Sequence, residues 1–299
     1  MVTIRNLQVK YGNQIALSIT SPITFEDGDR IGIIGSNGAG KTTLVKSILG
    51  LTNYNGSIHT EIKPEQMSVH MQENNYADTM VVKHIIETIS NAKIKNDKRL
   101  QGLISFFNFE ECLNKKFSVL SGGQKQRMTI ILVLMQDAPL VFFDEVTSGL
   151  DFETRQQLMS KINQWYQDKN TTVCIISHYY EELEHLTNKI LLLEKGNVVD
   201  FGYKDELFKK YCGKSTITID NTQKNQELTK CFSKLAAPEN LIALSCPNEK
   251  IEADIIKLFL DENINFKRSN NDIQIMSINA KQRFANKLKG VEADECVSY

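Results

Sequence analysis

Gly35-Ser36-Asn37-Gly38-Ala39-Gly40-Lys41-Thr42 follows at once on the apolar run Ile31-Gly32-Ile33-Ile34. Apolar residues then recur at Leu44, Val45, Ile48 and Leu49 before Gly50. This order predicts a buried parallel strand, a glycine-rich turn and a helix closed by glycine. Glycines let successive backbone N–H groups face one point, and the start of the helix adds its positive end. The pattern is that of a phosphate-binding loop. Lys41 is expected to reach β- and γ-phosphates, and the Thr42 hydroxyl to bind Mg²⁺.

A second half-site follows along the chain. Leu140-Val141-Phe142-Phe143 predicts another buried strand, and Asp144-Glu145 stand at its carboxyl end. Asp144 is placed to hold Mg²⁺ and Glu145 to polarise an attacking water. Thr172–Ile176 predicts a further strand, and Lys195-Gly196-Asn197 joins two strands in a hairpin. Thr79–Ile89, Asp97–Phe109 and Gln124–Met135 read as helices. Strands alternating with helices imply an α/β fold with a mostly parallel sheet covered on both faces.

Composition narrows the function. With 35 Lys+Arg against 36 Asp+Glu, the net charge is −1, which offers no electrostatic help toward nucleic acid. The longest strictly apolar run, Ile130–Met135, has six residues, far short of the roughly 18 that a membrane span needs. The first ten residues lack a signal-peptide core, so a cytoplasmic location is expected. The six cysteines form no C-x-x-C pair and read as free thiols, Cys174 as strand core.

Leu120-Ser121-Gly122-Gly123-Gln124 specifies which kind of P-loop protein this is. The stretch resembles the signature of ATP-binding cassette (ABC) ATPases. The motif order over residues 2–205 is similar to theirs: P-loop, Gln72, signature, Asp144-Glu145, His178. The resemblance implies an ATPase using ATP and Mg²⁺, with Glu145, His178 and Lys41 catalytic. It assigns the nucleotide to Tyr11, which would stack on adenine, and to the loop Gly35, Ser36, Asn37, Gly38, Ala39, Gly40, Lys41, Thr42 and Thr43. It gives Mg²⁺ to Thr42, Gln72 and Asp144, with Gln72 also sensing a membrane partner. It assigns Ser121, Gly122, Gly123 and Gln124 to the γ-phosphate bound by a facing subunit, and Asp151 to a loop linking the two sites. One departure is Val146, where the family usually has proline.

From this follow the expected partners: a second ATPase subunit, identical or related, in a head-to-tail dimer, and an integral membrane transporter subunit. The chain would sit on the inner face of the membrane, passing motion through a helical subdomain at about 79–135. No nucleic acid is expected. The gap from Thr42 to Leu120 is 77 residues, too short for the coiled-coil insertion of DNA-repair relatives, and there is one cassette rather than the two of translation factors.

Residues 1–213 are expected to form the nucleotide-binding domain and 214–299 a small α+β accessory domain. In that domain Thr216–Ile219, Leu241–Ser245 and Ile273–Met276 are expected as strands, and Gln223–Leu235 and Glu249–Leu260 as helices. An exporter of peptides, antibiotics or lipids is the leading expectation. The alternative is an importer ATPase whose C-terminal domain is regulatory and ferredoxin-like.

Overall fold

The computed structural model describes residues 1–71 and 76–289. Five strands form the parallel centre of the main sheet. They are β4 (Arg30–Gly35), β6 (Met67–His70), β7 (Leu140–Asp144), β8 (Thr172–Ile176) and β9 (Lys189–Glu194). They run in the order β9-β4-β8-β7-β6, and every residue of β7 and β8 is buried. The flanking strands are β1 (Val2–Tyr11), β2 (Gln14–Ile19), β3 (Ile23–Phe25), β5 (Asn55–Thr60) and β10 (Asn197–Tyr203). Here β1 pairs antiparallel with β2, β3 and β5. The β9–β10 hairpin carries this wing on the parallel centre, β10 touching β2 at a single parallel pair. Lys195 (φ 48°) and Gly196 (φ 78°) are both left-handed, as a two-residue hairpin turn of right-handed twist requires.

Helices cover the sheet. They are α1 (Lys41–Ile48), α2 (Val82–Ile89), α3 (Lys98–Phe106), α4 (Gly122–Met135), α5 (Phe152–Tyr166), α6 (Tyr180–Leu186) and α7 (Lys204–Cys212). Helix α4 begins two residues earlier than the apolar spacing predicts. The Ser121 hydroxyl accepts from Gln124 N–H, and the Gln124 side chain accepts from Ser121 N–H, a reciprocal cap that draws both glycines into the first turn.

Beyond Gly213 come β11 (Ser215–Asp220), α8 (Gln223–Leu228), β12 (Lys234–Leu235), β13 (Leu241–Cys246), α9 (Glu249–Asp261), β14 (Lys267–Ser269) and α10 (Ile273–Leu288). The four strands form a separate antiparallel sheet in the order β12-β13-β11-β14, a ferredoxin-like β-α-β-β-α-β arrangement. Ile217, Ile219, Ile242, Leu244, Ile255 and Phe259 fill its own small core. Two expectations are corrected. Ile273–Met276 is the first turn of α10, not a strand: Asp272 caps it, and Ile273, Met276 and Ala280 lie on one helical face packed into the larger core. The helix expected over Gln223–Leu235 stops at Leu228, where Thr229 Oγ1 turns back to the Asn225 carbonyl at 2.6 Å.

Phe259 is fully buried, and its ring centroid lies 5.9 Å from that of Phe266. Phe259→Ala should cost about 3–5 kcal/mol of stability in this small sheet. Chemical denaturation measures it; a loss under about 1 kcal/mol would contradict the packing described.

Candidate functional site

The loop Gly35–Gly40 leaves the carboxyl end of β4, in the middle of the sheet, and enters α1. In doubly wound sheets this is where ligands gather. Backbone approach holds the loop in place. A Cβ on Gly35 would lie 2.5 Å from the Leu193 carbonyl oxygen, and one on Gly40 (φ 100°) 2.9 Å from that of Ala16. Neither position accepts a side chain. Gly196 N–H donates to the Ala39 carbonyl at 3.2 Å, so the hairpin turn braces the loop from the other side.

Lys41 is 7% exposed, and its ammonium donates to the loop carbonyls of Gly35 (2.9 Å) and Ser36 (3.2 Å). Burial pushes its pKa down, while Glu145 and Asp144 pull the other way. Thr42 Oγ1 donates to Asp144 Oδ2 at 2.9 Å. Burial pushes the Asp144 carboxyl up against that hydrogen bond, and the charge on Glu145 adds to the rise. Glu145 takes a left-handed conformation (φ 52°), uncommon without glycine and concentrated at functional sites. Its Oε1 lies 2.7 Å from His178 Nε2.

Around these groups lies a cleft of about 820 Å³, lined by Tyr11, Asn37–Thr43, Glu145 and His178. The site residues expected from sequence therefore converge, except for three sets. Gln72 lies outside the described residues. Ser121–Gln124 do not line the cleft, and Gly123 instead faces Thr154 at the start of α5. Asp151 caps α5, accepting from Thr154 N–H (2.9 Å) and Thr154 Oγ1 (2.7 Å).

The motifs do not point to several residues that the structure places here. Gln14, Ile15, Ala16, Lys195 and Gly196 complete the cleft wall beside Tyr11. Glu182, 5% exposed, accepts from Ser177 Oγ (2.7 Å) and Thr147 Oγ1 (3.2 Å) and pairs with Arg155 at 3.3 Å. It thereby ties the loop after Glu145 to the loop carrying His178. Burial pushes its carboxyl up, opposed by these donors and by Arg155. Val146, in place of the family proline, is buried in the main core.

A phosphate loop beside an acidic strand end and a convergent His has the arrangement of a P-loop nucleotidase. Residues 21–148 match the ABC transporter family. The chain is 30% identical to the ATP-binding protein of a tungstate uptake system from Peptoclostridium acidaminophilum, over 66% of this chain and 96% of that one. It is 27% identical to a methionine import ATP-binding protein of Clostridioides difficile (strain 630), over 86% of each. It shares the fold of a dimeric ATP-binding cassette solved in a post-hydrolysis state with ADP and Pi. The TM-score there is 0.61 at 22% identity, over 68% of this chain and 98% of that one. The chain belongs to the ABC transporter family, as an ATP-binding, ATP-hydrolysing subunit. Among the described residues, no helix is long and apolar enough to cross a membrane.

Removing the Glu182 carboxylate leaves Arg155 and two buried hydroxyls without their partner. Glu182→Ala should cost about 2–4 kcal/mol, and Glu182→Gln less, because the amide oxygen still accepts. Urea unfolding of the two variants measures this; an alanine variant as stable as wild type would contradict the bridging role.

Proposed function

We propose that this chain powers uptake of a small solute, working as a head-to-tail ATPase pair beneath an integral membrane subunit. The observation that carries the direction is the reach of one match. The likeness to the methionine import protein spans 86% of the chain, more than residues 1–213 alone supply, so it extends into the ferredoxin-like unit. The tungstate relative also bears an uptake name. Import therefore takes the place of the exporter expectation in this reading. In this reading residues 1–213 are the nucleotide-binding domain, with the helical subdomain at about 79–135 facing the membrane subunit. Residues 214–299 are the accessory domain.

At the site, Lys41 leaves the Gly35 and Ser36 carbonyls to meet the β- and γ-phosphates. The oxygen donors Thr42 and Asp144 suit Mg²⁺, which keeps few protein ligands and binds substrate phosphates. No cluster of three or more His, Cys, Asp or Glu that could hold a metal occurs among the described residues, in keeping with so sparse a donor set. Bound there, the ion would neutralise charge developing on the transferred phosphoryl group. Glu145 takes the proton of the attacking water, and His178, 2.7 Å away, orients the carboxylate toward the γ-phosphate side. Tyr11 stacks on adenine, where a ring contributes about 1–3 kcal/mol.

Ser121, Gly122 and Gly123 stand outside their own chain's cleft, and the exposed start of α4 is free to close a neighbour's. Its backbone N–H groups and positive helix end suit a γ-phosphate. ATP binding then closes the pair, and loss of the γ-phosphate opens it. Asp151 caps α5 by accepting from Thr154, whose methyl faces Gly123, and in this reading it links one site to the other.

Glu145→Gln should leave ATP binding intact and slow hydrolysis by about 100- to 10,000-fold. Near wild-type turnover would remove Glu145 from the base role. Lys41→Ala should weaken equilibrium ATP binding by about tenfold or more. Direction is tested in vesicles holding the membrane complex with its ATPase subunits facing the lumen. Luminal ATP should drive solute accumulation inside; ATP-driven expulsion would establish export instead.

A further inference from the structure

Helix α10 belongs to the C-terminal region in sequence but packs on the nucleotide-binding side of the molecule. Ile273, Ile275, Met276 and Ala280 join the larger core, and Ile273 N–H donates to Glu184 Oε1 of α6 at 3.2 Å. Arg283 donates to the Lys210 carbonyl of α7 at 3.1 Å. This docking carries Lys281 to the carboxyl end of β9. There its ammonium lies 3.0 Å from Glu194 Oε2, both side chains being mostly buried. The Glu194 carboxylate in turn accepts from Ser36 Oγ at 3.2 and 3.3 Å. Ser36 is the second residue of the phosphate loop.

A carboxylate hydrogen-bonded to a loop that must receive a triphosphate is unfavourable unless its charge is cancelled. We infer that Lys281 is a positioning residue for ATP: by neutralising Glu194 it makes the phosphate loop hospitable to the nucleotide, and so ties ATP affinity to the seating of the C-terminal helix. The inference rests on the assignment of Gly35–Thr42 to the phosphates of ATP. The turn at 270–272 joins β14 directly to α10, so a shift of the small sheet has a short covalent route to this ion pair. Such a shift would change ATP affinity without touching the cleft, and ATP would reciprocally favour the docked helix.

The test is a charge cycle on the full-length chain, read by equilibrium ATP titration. Lys281→Met should raise the Kd for ATP about two- to fivefold, the range for a partly exposed ion pair, and the effect should shrink as salt rises. Lys281→Arg should bind as wild type does. Glu194→Gln should bind ATP at least as tightly as wild type, and adding it to Lys281→Met should restore the affinity. A helix that only stabilises the fold would lower the melting temperature of Lys281→Met without any rescue by Glu194→Gln. An unchanged Kd in Lys281→Met, or a double variant as weak as the single one, overturns the inference. A wild-type chain that binds ATP while failing this cycle leaves the nucleotide reading standing and removes only the role of Lys281.

Discussion

The phosphate loop is pinched between two stretches of backbone, the Leu193 carbonyl of β9 on one side and the Ala16 carbonyl of β2 on the other. Everything at the site depends on this confinement. Within this loop of six residues Ala39 N–H turns back to the Ser36 carbonyl at 3.0 Å, but N–H groups that point inward cannot all be satisfied internally, so the surrounding backbone has to help impose its shape. The parallel centre supplies that frame, because β4 is fixed on both sides by β8 and β9. The same frame sets Asp144 and Glu145 at the end of β7 and His178 just past β8, adjacent strands with matched register. Convergence of Lys41, Thr42, Asp144, Glu145 and His178 is thus a consequence of strand order.

A second level of support lies behind the reacting groups. Glu145 holds a left-handed backbone conformation that costs on the order of 1–3 kcal/mol unless the surroundings enforce it. Its N–H donates to the Ile176 carbonyl, and Glu182 gathers Thr147, Ser177 and Arg155 behind the loops that follow β7 and β8. Arg155 is itself held over the Tyr179 ring, 3.7 Å from its centroid. Both hydroxyls donate to Glu182 Oε2, while Oε1 faces Arg155 at ion-pair distance, so one buried carboxylate links three elements as a brace.

Much of this was legible in the sequence because it is local. The P-loop, the strand before Asp144, the signature and the Lys195-Gly196 hairpin each carry their sequence signal within a few residues. The rest was not. Ile-Gln-Ile-Met at 273–276 alternates like a strand, and only Ala280, one helical repeat further on, and docking against α6 and α7 make it a helix. The edge strand Lys267–Ser269 is too short and polar to leave a pattern. Glu182 reads as one acid in the run Glu181-Glu182-Leu183-Glu184, and its burial comes from the fold of two distant loops. The Ser36–Glu194–Lys281 chain joins three elements far apart in sequence, which no single-sequence pattern reveals. Transport direction was likewise absent from the motifs, and the proposal of import rests instead on a relative whose likeness reaches past Gly213.

In the proposed pair, the phosphate loop of one chain is completed by Ser121, Gly122 and Gly123 of another. Complementation measures this directly. A chain carrying Lys41→Ala keeps its signature, and a chain carrying Gly122→Asp keeps its phosphate loop. Each alone should be nearly inactive, while a mixture should recover ATPase activity through hybrid pairs holding one complete site. A mixture as inactive as its components, or a Gly122→Asp chain with full activity by itself, would contradict the shared site.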